Sequence, residues 1–302
     1  MRHLLDLFTV SPVELATLLD DASRLKAARK QGRPSHSLAG KVIGLVFEKP
    51  SLRTRVSFEA GIAQLGGTSL FMPGSEVGLG WRETLPDFAR TMSRFVDAMV
   101  FRVFKQDTVA GISAVSAVPV INALSDEEHP CQALADLLTI RERFGHIANR
   151  RISFVGDGNN VAKSLAVGAI KLGASFRLGC PKGYEFDQPF VDRVKRELGV
   201  SIDQVNDAVE CVQNADVIYT DVWTSMGQEA ERDRRLRDFA SFQVNEPLLH
   251  AAPKHAIVLH CLPAHRGEEI TDAVVDGPQS FVFDQAENRL HVQKAVLEWL
   301  VT

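Results

Sequence analysis

Short apolar runs that end in polar or glycine-rich turns alternate with longer stretches of helical spacing through most of the chain. The first helix is predicted from Ser11, because Ser11-Pro12-Val13-Glu14 is a capping box with proline at the first helical position. Leu15, Leu18, Leu19, Ala22 and Leu25 follow on one face. A basic loop, Arg29 to Pro34, leads to a strand over Lys41 to Phe47. Pro50 stops that strand and Ser51 caps a second helix, whose Val56, Ala60, Ala63 and Leu65 are expected to face the core. A strand over Thr68 to Met72 comes next. The stretch Pro73 to Trp81, with three glycines and a proline, is expected to be an exposed, mobile loop. Helical spacing over Leu85 to Val96, a strand over Ala98 to Phe104, a helical piece over Val109 to Val115 and a strand over Val118 to Leu124 complete the first half.

A polar turn, Asp126 to Pro130, opens the long helical pattern Cys131 to Gly145, which is expected to bridge two domains. Beyond it the rhythm restarts. Strands are predicted over Arg151 to Gly156, Ser175 to Cys180, Asp216 to Trp223 and Ala256 to Pro263, and helices over Val161 to Leu172, Phe190 to Leu198 and Ala208 to Ala215. The chain closes on an amphipathic helix, Ala286 to Val301. Strands alternating with helices predict the α/β class, with a mainly parallel sheet flanked by helices in each of two domains.

Composition fits that picture: 302 residues with 45% hydrophobic and 24% charged content provide two domain-sized cores. A formal charge of -4 argues against a general nucleic-acid or membrane surface and leaves small anionic ligands open. Four cysteines, Cys131, Cys180, Cys211 and Cys261, are widely spaced without a C-x-x-C, so reduced thiols in a cytoplasmic protein are expected. HLLDLF does not read as a secretory leader, and no apolar run approaches the length of a membrane span.

In open parallel sheets, ligands bind beyond the carboxyl ends of the strands. FEKPSLRTR, Phe47 to Arg55, lies at such an end. It combines a helix start, two hydroxyls (Ser51, Thr54) and two guanidiniums (Arg53, Arg55), a pocket suited to a phosphate or another compact anion. Arg102, His129 and Gln132 occupy comparable places in the first half. Gly156 to Asn160, Asp221 to Gly227 and His260 to Gly267 do so in the second. Gly156-Asp157-Gly158 has part of a dinucleotide fingerprint, but Gly179-Cys180-Pro181 stands where a ribose-binding acid belongs, and Asn159-Asn160 put amides where the pyrophosphate needs bare backbone. A metal reading of His260, Cys261 and His265 is set aside because strand alternation is expected to turn His260 and Cys261 to opposite faces.

Taken together, FEKPSLRTR, HPCQALADL, DVWTSMGQE, HCLPAHRGEEIT and FDQAENRLHVQKAVL resemble, in order, the signatures of the carbamoyltransferase family. DVWTSMG and HCLP are more similar to its ornithine branch than to its aspartate branch. The resemblance implies transfer of the carbamoyl group of carbamoyl phosphate to the side-chain amine of L-ornithine, giving citrulline and phosphate in arginine metabolism. An acylated ornithine or a diamine is the alternative acceptor. It also implies a carbamoyl-phosphate domain over 1–133, joined by a C-terminal helix 286–302 that packs back on it, and an ornithine domain over 134–285. The expected assembly is a homotrimer or a multiple of trimers with active sites between subunits. No cofactor, metal, nucleic acid or membrane partner is implied.

By the same resemblance, Ser51, the backbone of Leu52, Arg53, Thr54 and Arg102 hold the phosphate, and His129 and Gln132 orient the carbamoyl end. Cys261, the backbone of Leu262 and Arg289 complete that site. Asn160, Asp221, Ser225 and Met226 are assigned to ornithine. Asp221 and Cys261 face its side-chain amine and are the two candidates for accepting its proton; with Arg102 and His129 they form the expected catalytic set. One departure stands out. Where many relatives carry Gln or His in a loop reaching the neighbouring subunit, this chain has Gly78, followed by Trp81 and Arg82.

Overall fold

The structure is a computed structural model, and it describes every residue except Met226. Contacts divide the chain into two compact units, Met1–Leu138 with Glu287–Thr302, and Thr139–Ala286. The chain passes from the first to the second inside the helix Pro130–Phe144, and returns inside the helix Val282–Val301.

The first unit is built on four parallel strands, β1 (Val42–Phe47), β2 (Thr68–Pro73), β3 (Ala98–Arg102) and β4 (Val120–Leu124), in the order β2-β1-β3-β4. All of β3 and all but the first residue of β1 are buried, as expected of central parallel strands with helices on both faces. The helix Pro12–Lys30 starts at the predicted capping box, with the Glu14 amide donating to Ser11 Oγ at 3.2 Å and the Ser11 amide to Glu14 Oε2 at 2.9 Å.

In the helix Leu52–Gln64 the buried stripe is Thr54, Phe58, Gly61 and Ile62, continued by Leu65, whereas Val56 and Ala63 are exposed. The expected face was therefore rotated about the axis. Phe58 and Ile62 bury more apolar surface than Val56 and Ala63, and Gly61 is where the final helix comes close: a Cβ there would lie 3.2 Å from Lys294 Cγ and 3.5 Å from Leu290 Cδ1. That helix is tied to the first unit by Lys26 Nζ donating to Asn288 Oδ1 at 2.7 Å and Arg24 Nη2 to Glu298 Oε2 at 2.8 Å. The stretch expected to be a loop contains a helical turn, Gly74–Val77, which ends where Gly78 takes a left-handed φ of 65°.

The second unit carries five parallel strands, β5 (Arg151–Val155), β6 (Ser175–Gly179), β7 (Asp203–Val205), β8 (Val217–Thr220) and β9 (Ile257–His260), in the order β7-β6-β5-β8-β9. The last two strands stop earlier than their apolar runs, so Asp221 to Trp223 and Cys261 to Pro263 are loop. In each sheet the strand order reverses once, between β1 and β3 and between β5 and β8. Those switch points, where consecutive connections leave toward opposite faces, open a crevice at the carboxyl ends of the strands.

Candidate functional sites at the two switch points

In the first unit the crevice is bounded by the segments that follow β1 and β3. Ser51 is extended (φ -161°, ψ 104°) and caps the helix Leu52–Gln64, its Oγ accepting the Thr54 amide at 3.4 Å and donating to Thr54 Oγ1 at 3.0 Å. The amides of Leu52 and Arg53 precede the first helical hydrogen bond and face outward as donors. The Leu52 side chain is exposed, and the Arg53 guanidinium is exposed and makes no hydrogen bond or ion pair with any described residue. A cation and two amides at a helix start are thus ready for an anion.

Behind this turn lies a buried chain of polar groups. Arg289 Nη2 donates to Thr54 Oγ1 at 3.2 Å, Arg289 Nη1 to Gln132 Oε1 at 2.6 Å, and Gln132 Nε2 to Asp136 Oδ1 at 2.8 Å. Arg102 is the buried last residue of β3. His129, also buried, precedes the helix that carries Gln132; burial, then Arg289, then Arg102 hold its imidazole well below its ordinary titration range. His129 is therefore neutral at pH 7, held so first by burial and then by the two arginine charges. Lys49 is pushed down by burial and by Arg102, so it adds to the same positive field. Five of the predicted residues, Ser51, Thr54, Gln132, Arg102 and Arg289, meet His129 here, with Leu52 and Arg53 at the rim.

In the second unit Asn159 caps the helix Asn160–Lys171, its Oδ1 accepting the amides of Val161 and Ala162 at 3.0 Å each. Its Nδ2 donates to Asp221 Oδ2 at 2.9 Å. Asp221, nearly buried just past β8, also receives the Cys261 thiol at 2.9 Å and the Val222 amide at 2.8 Å on Oδ1. The carboxylate and thiol predicted to face one amine are thus in direct contact. Asn160 starts the helix beside them, Ser225 anchors its loop by donating its amide to Gln228 Oε1 at 3.0 Å, and Met226 lies outside the described residues. Leu262 follows with a left-handed φ of 56° and a cis bond to Pro263.

The expectation that His260 and Cys261 point to opposite faces fails, because β9 ends at His260 and alternation ends with it. Candidate ligand atoms of Asp221, His260 and Cys261 lie within 4.8 Å of one another. Both ring nitrogens of His260 are nevertheless engaged: Nδ1 accepts the Leu262 amide at 2.9 Å, so Nε2 carries the proton and donates to Glu269 Oε1 at 3.0 Å. A metal there would have to displace one of these two hydrogen bonds. The Gly158 backbone, which resembled a dinucleotide turn, is occupied by the protein itself; a Cβ on Gly158 would come within 2.9 Å of the Glu185 and Phe186 backbone.

Asn159 and His260 lay in the strand-end stretches picked out from the sequence but were given no role, and Asp136, Glu269 and Arg235 were not singled out for these sites. Asp136 carried a signal, a polar residue one turn after Gln132 inside an apolar helical pattern. Arg235 did not, since it sits in a run of charges; it is buried and donates to Asp157 Oδ2 at 2.7 Å and to the Trp223 carbonyl at 3.0 Å, tying the glycine turn to the loop before Ser225. Burial raises the Asp157 carboxyl and Asp221 adds to that, while Arg235 opposes both. Chemically, the first site can hold a compact dianion and stabilise a developing oxyanion. The second offers a carboxylate and a thiol to an amine.

Comparison with known proteins gives a consistent set of likenesses. The family model described as aspartate/ornithine carbamoyltransferase, carbamoyl-P binding domain, matches residues 2–142, and that described as aspartate/ornithine carbamoyltransferase, Asp/Orn binding domain, matches residues 148–300. The ornithine carbamoyltransferase of Thermococcus kodakarensis is 50% identical over 299 residues, 98% of this chain and 95% of that protein. That of Syntrophus aciditrophicus is 47% identical over 300 residues, 99% of each. The solved structure of ornithine carbamoyltransferase from Pyrococcus furiosus superposes with a TM-score of 0.96 at 48% identity, covering 99% of this chain and 97% of that one.

Proposed function

Since the chain belongs to the aspartate/ornithine carbamoyltransferase family, we propose that it transfers the carbamoyl group of carbamoyl phosphate to the side-chain amine of L-ornithine, yielding L-citrulline and phosphate. The observation that carries this reading is the pairing of chemistries at the two switch points. Buried guanidiniums and a capped helix start suit a phosphate, and a carboxylate in contact with a thiol suits an amine. On this reading residues 1–133 with 286–302 serve carbamoyl phosphate and residues 134–285 serve ornithine.

Ser51, the Leu52 and Arg53 amides, the Arg53 side chain, Thr54 and Arg102 take the phosphate. Arg289, Gln132 and neutral His129 orient the carbamoyl group, and Thr54 and Arg102 stabilise its oxygen as negative charge develops. An ammonium cannot attack, so the acceptor must lose a proton; Asp221 or Cys261 receives it, with Asn160, Ser225 and Met226 holding the amino-acid end. The amine nitrogen bonds to the carbamoyl carbon, the carbon to phosphate-oxygen bond breaks, and phosphate leaves with the electron pair. Cys261 and Leu262 also serve the carbamoyl group. Every charge in this scheme is met by an arginine, an amide or a carboxylate, so the steps call for no metal.

A cytoplasmic homotrimer, or a multiple of trimers, working in arginine metabolism completes the proposal. A Pyrococcus furiosus relative 48% identical over 299 residues is named anabolic, and among the described residues no helix is long and apolar enough to cross a membrane. The test is an acceptor panel of ornithine, N-acetylornithine and putrescine with carbamoyl phosphate, following phosphate and carbamoylated product together. Stoichiometric citrulline and phosphate with ornithine is expected; transfer to another amine in preference to ornithine sinks the reading.

A further inference from the structure

Gln132 stands between two groups whose hydrogen-bonding roles are fixed. A guanidinium only donates, and Asp136 Oδ1 accepts here. Arg289 Nη1 at 2.6 Å must therefore face the amide oxygen of Gln132, and Asp136 Oδ1 at 2.8 Å its nitrogen. Asp136 is fully buried and Gln132 almost so, on successive turns of the helix Pro130–Phe144, and neither ligand role assigned above includes Asp136.

We propose that Asp136 is a positioning residue that fixes the Gln132 amide with its oxygen toward the carbamoyl end of the donor, and so selects a transferred group that carries N–H. The inference rests on the reading of Gln132 as a carbamoyl-contacting residue. A carbonyl oxygen has two lone pairs; Arg289 uses one, and the other accepts from the carbamoyl nitrogen. Acetyl phosphate has nearly the same shape but a methyl group in place of that nitrogen, and gains nothing from this acceptor. The terminal torsion of glutamine is broad and roughly two-fold, so without an acceptor on its far side the buried NH2 is left unsatisfied and only Arg289 still favours this orientation. In the flipped orientation its NH2 group would meet donors from Arg289 and from carbamoyl phosphate, so the loss of Asp136 weakens the selection without reversing it.

The test compares the wild type with Asp136→Leu, which removes the acceptor at similar size, and Asp136→Asn, which keeps a carbonyl acceptor and loses the charge. The readout is the inhibition constant of acetyl phosphate divided by the KM for carbamoyl phosphate, with thermal melts to confirm folding. In Asp136→Leu this ratio is expected to fall about tenfold to hundredfold, the size of one buried unsatisfied hydrogen bond. In Asp136→Asn it is expected to stay within about threefold of wild type, because Oδ1 still holds the Gln132 nitrogen. An unchanged ratio in Asp136→Leu, or equal weakening of both ligands, overturns the proposal. If Asp136→Leu does not fold, Asp136→Ala, which also removes the acceptor, takes its place with the same expected fall, and an unchanged ratio there overturns the proposal. Wild-type protein that makes no citrulline defeats the functional reading instead, so the two failures are distinguishable.

Discussion

Where β1 and β3 end, the chain gathers cations; where β8 and β9 end, it gathers a carboxylate, a thiol and an amide. The two switch points are alike in topology and opposite in chemistry. In the first unit Arg102 and Arg289 are buried, and burial first and then their charges hold His129 neutral, so this site is charge fixed in place before any ligand arrives. In the second, Asp221 is shared among Asn159, Cys261 and its own neighbour's amide, an arrangement that can give and take a proton. A common strand-end geometry thus serves either anion binding or proton handling, according to which side chains close the turn.

The largest expected effect tests the proton-handling side. Asp221→Asn should lower kcat about 10³-fold while leaving the KM for carbamoyl phosphate nearly unchanged. A rise in that KM at constant kcat would erase the division of labour. On the anion side, Arg53→Ala should lower kcat/KM for carbamoyl phosphate about 10²-fold. The melting temperature should not move, since Arg53 is exposed and unpaired among the described residues; a large drop in stability would make it a structural residue.

The glycine turns sharpen the comparison further. Gly158→Val should destabilise the fold by about 2 kcal/mol, because the new side chain meets backbone at 2.9 Å and not a movable side chain. Chemical denaturation measures this directly. The smallest effect is in pH. The folded imidazole of His129 is held below its unfolded value, so its contribution is complete above about pH 6.5. Below that the unfolded chain takes up a proton that the native site refuses, and stability falls by up to about 1.4 kcal/mol per pH unit. In His129→Asn this part of the slope should vanish; an unaltered profile would show that the folded His129 is not held below its unfolded value.

Strand cores were legible because buried parallel strands are continuous apolar runs, and their ends located both sites. The runs misled only at their ends, where Asp221 to Trp223 and Cys261 to Pro263 continue an apolar pattern after pairing has stopped. The edge strand β7 escaped notice because Asp203 and Gln204 give it no apolar signature. The helix Arg232–Asp238 escaped because its charged sequence shows no stripe. For the helix Leu52–Gln64 the element was legible but its face was not, since the choice depends on where the final helix lies against Gly61. Asp136 and Glu269 lie inside quoted motifs, yet they act on other side chains, Gln132 and His260, so the motif match gave neither a role.

The four cysteines lead to a practical outcome. Burial pushes the thiols of Cys131, Cys180 and Cys211 up to about 12, so at neutral pH they present neither thiolate nor surface to a reagent. Cys261 is the partly exposed one. A native preparation should therefore take up one equivalent of a maleimide, at the residue that touches Asp221. The chain comes with its own single attachment point for a reporter dye, and the rate of labelling becomes a gauge of how often the second site stands open.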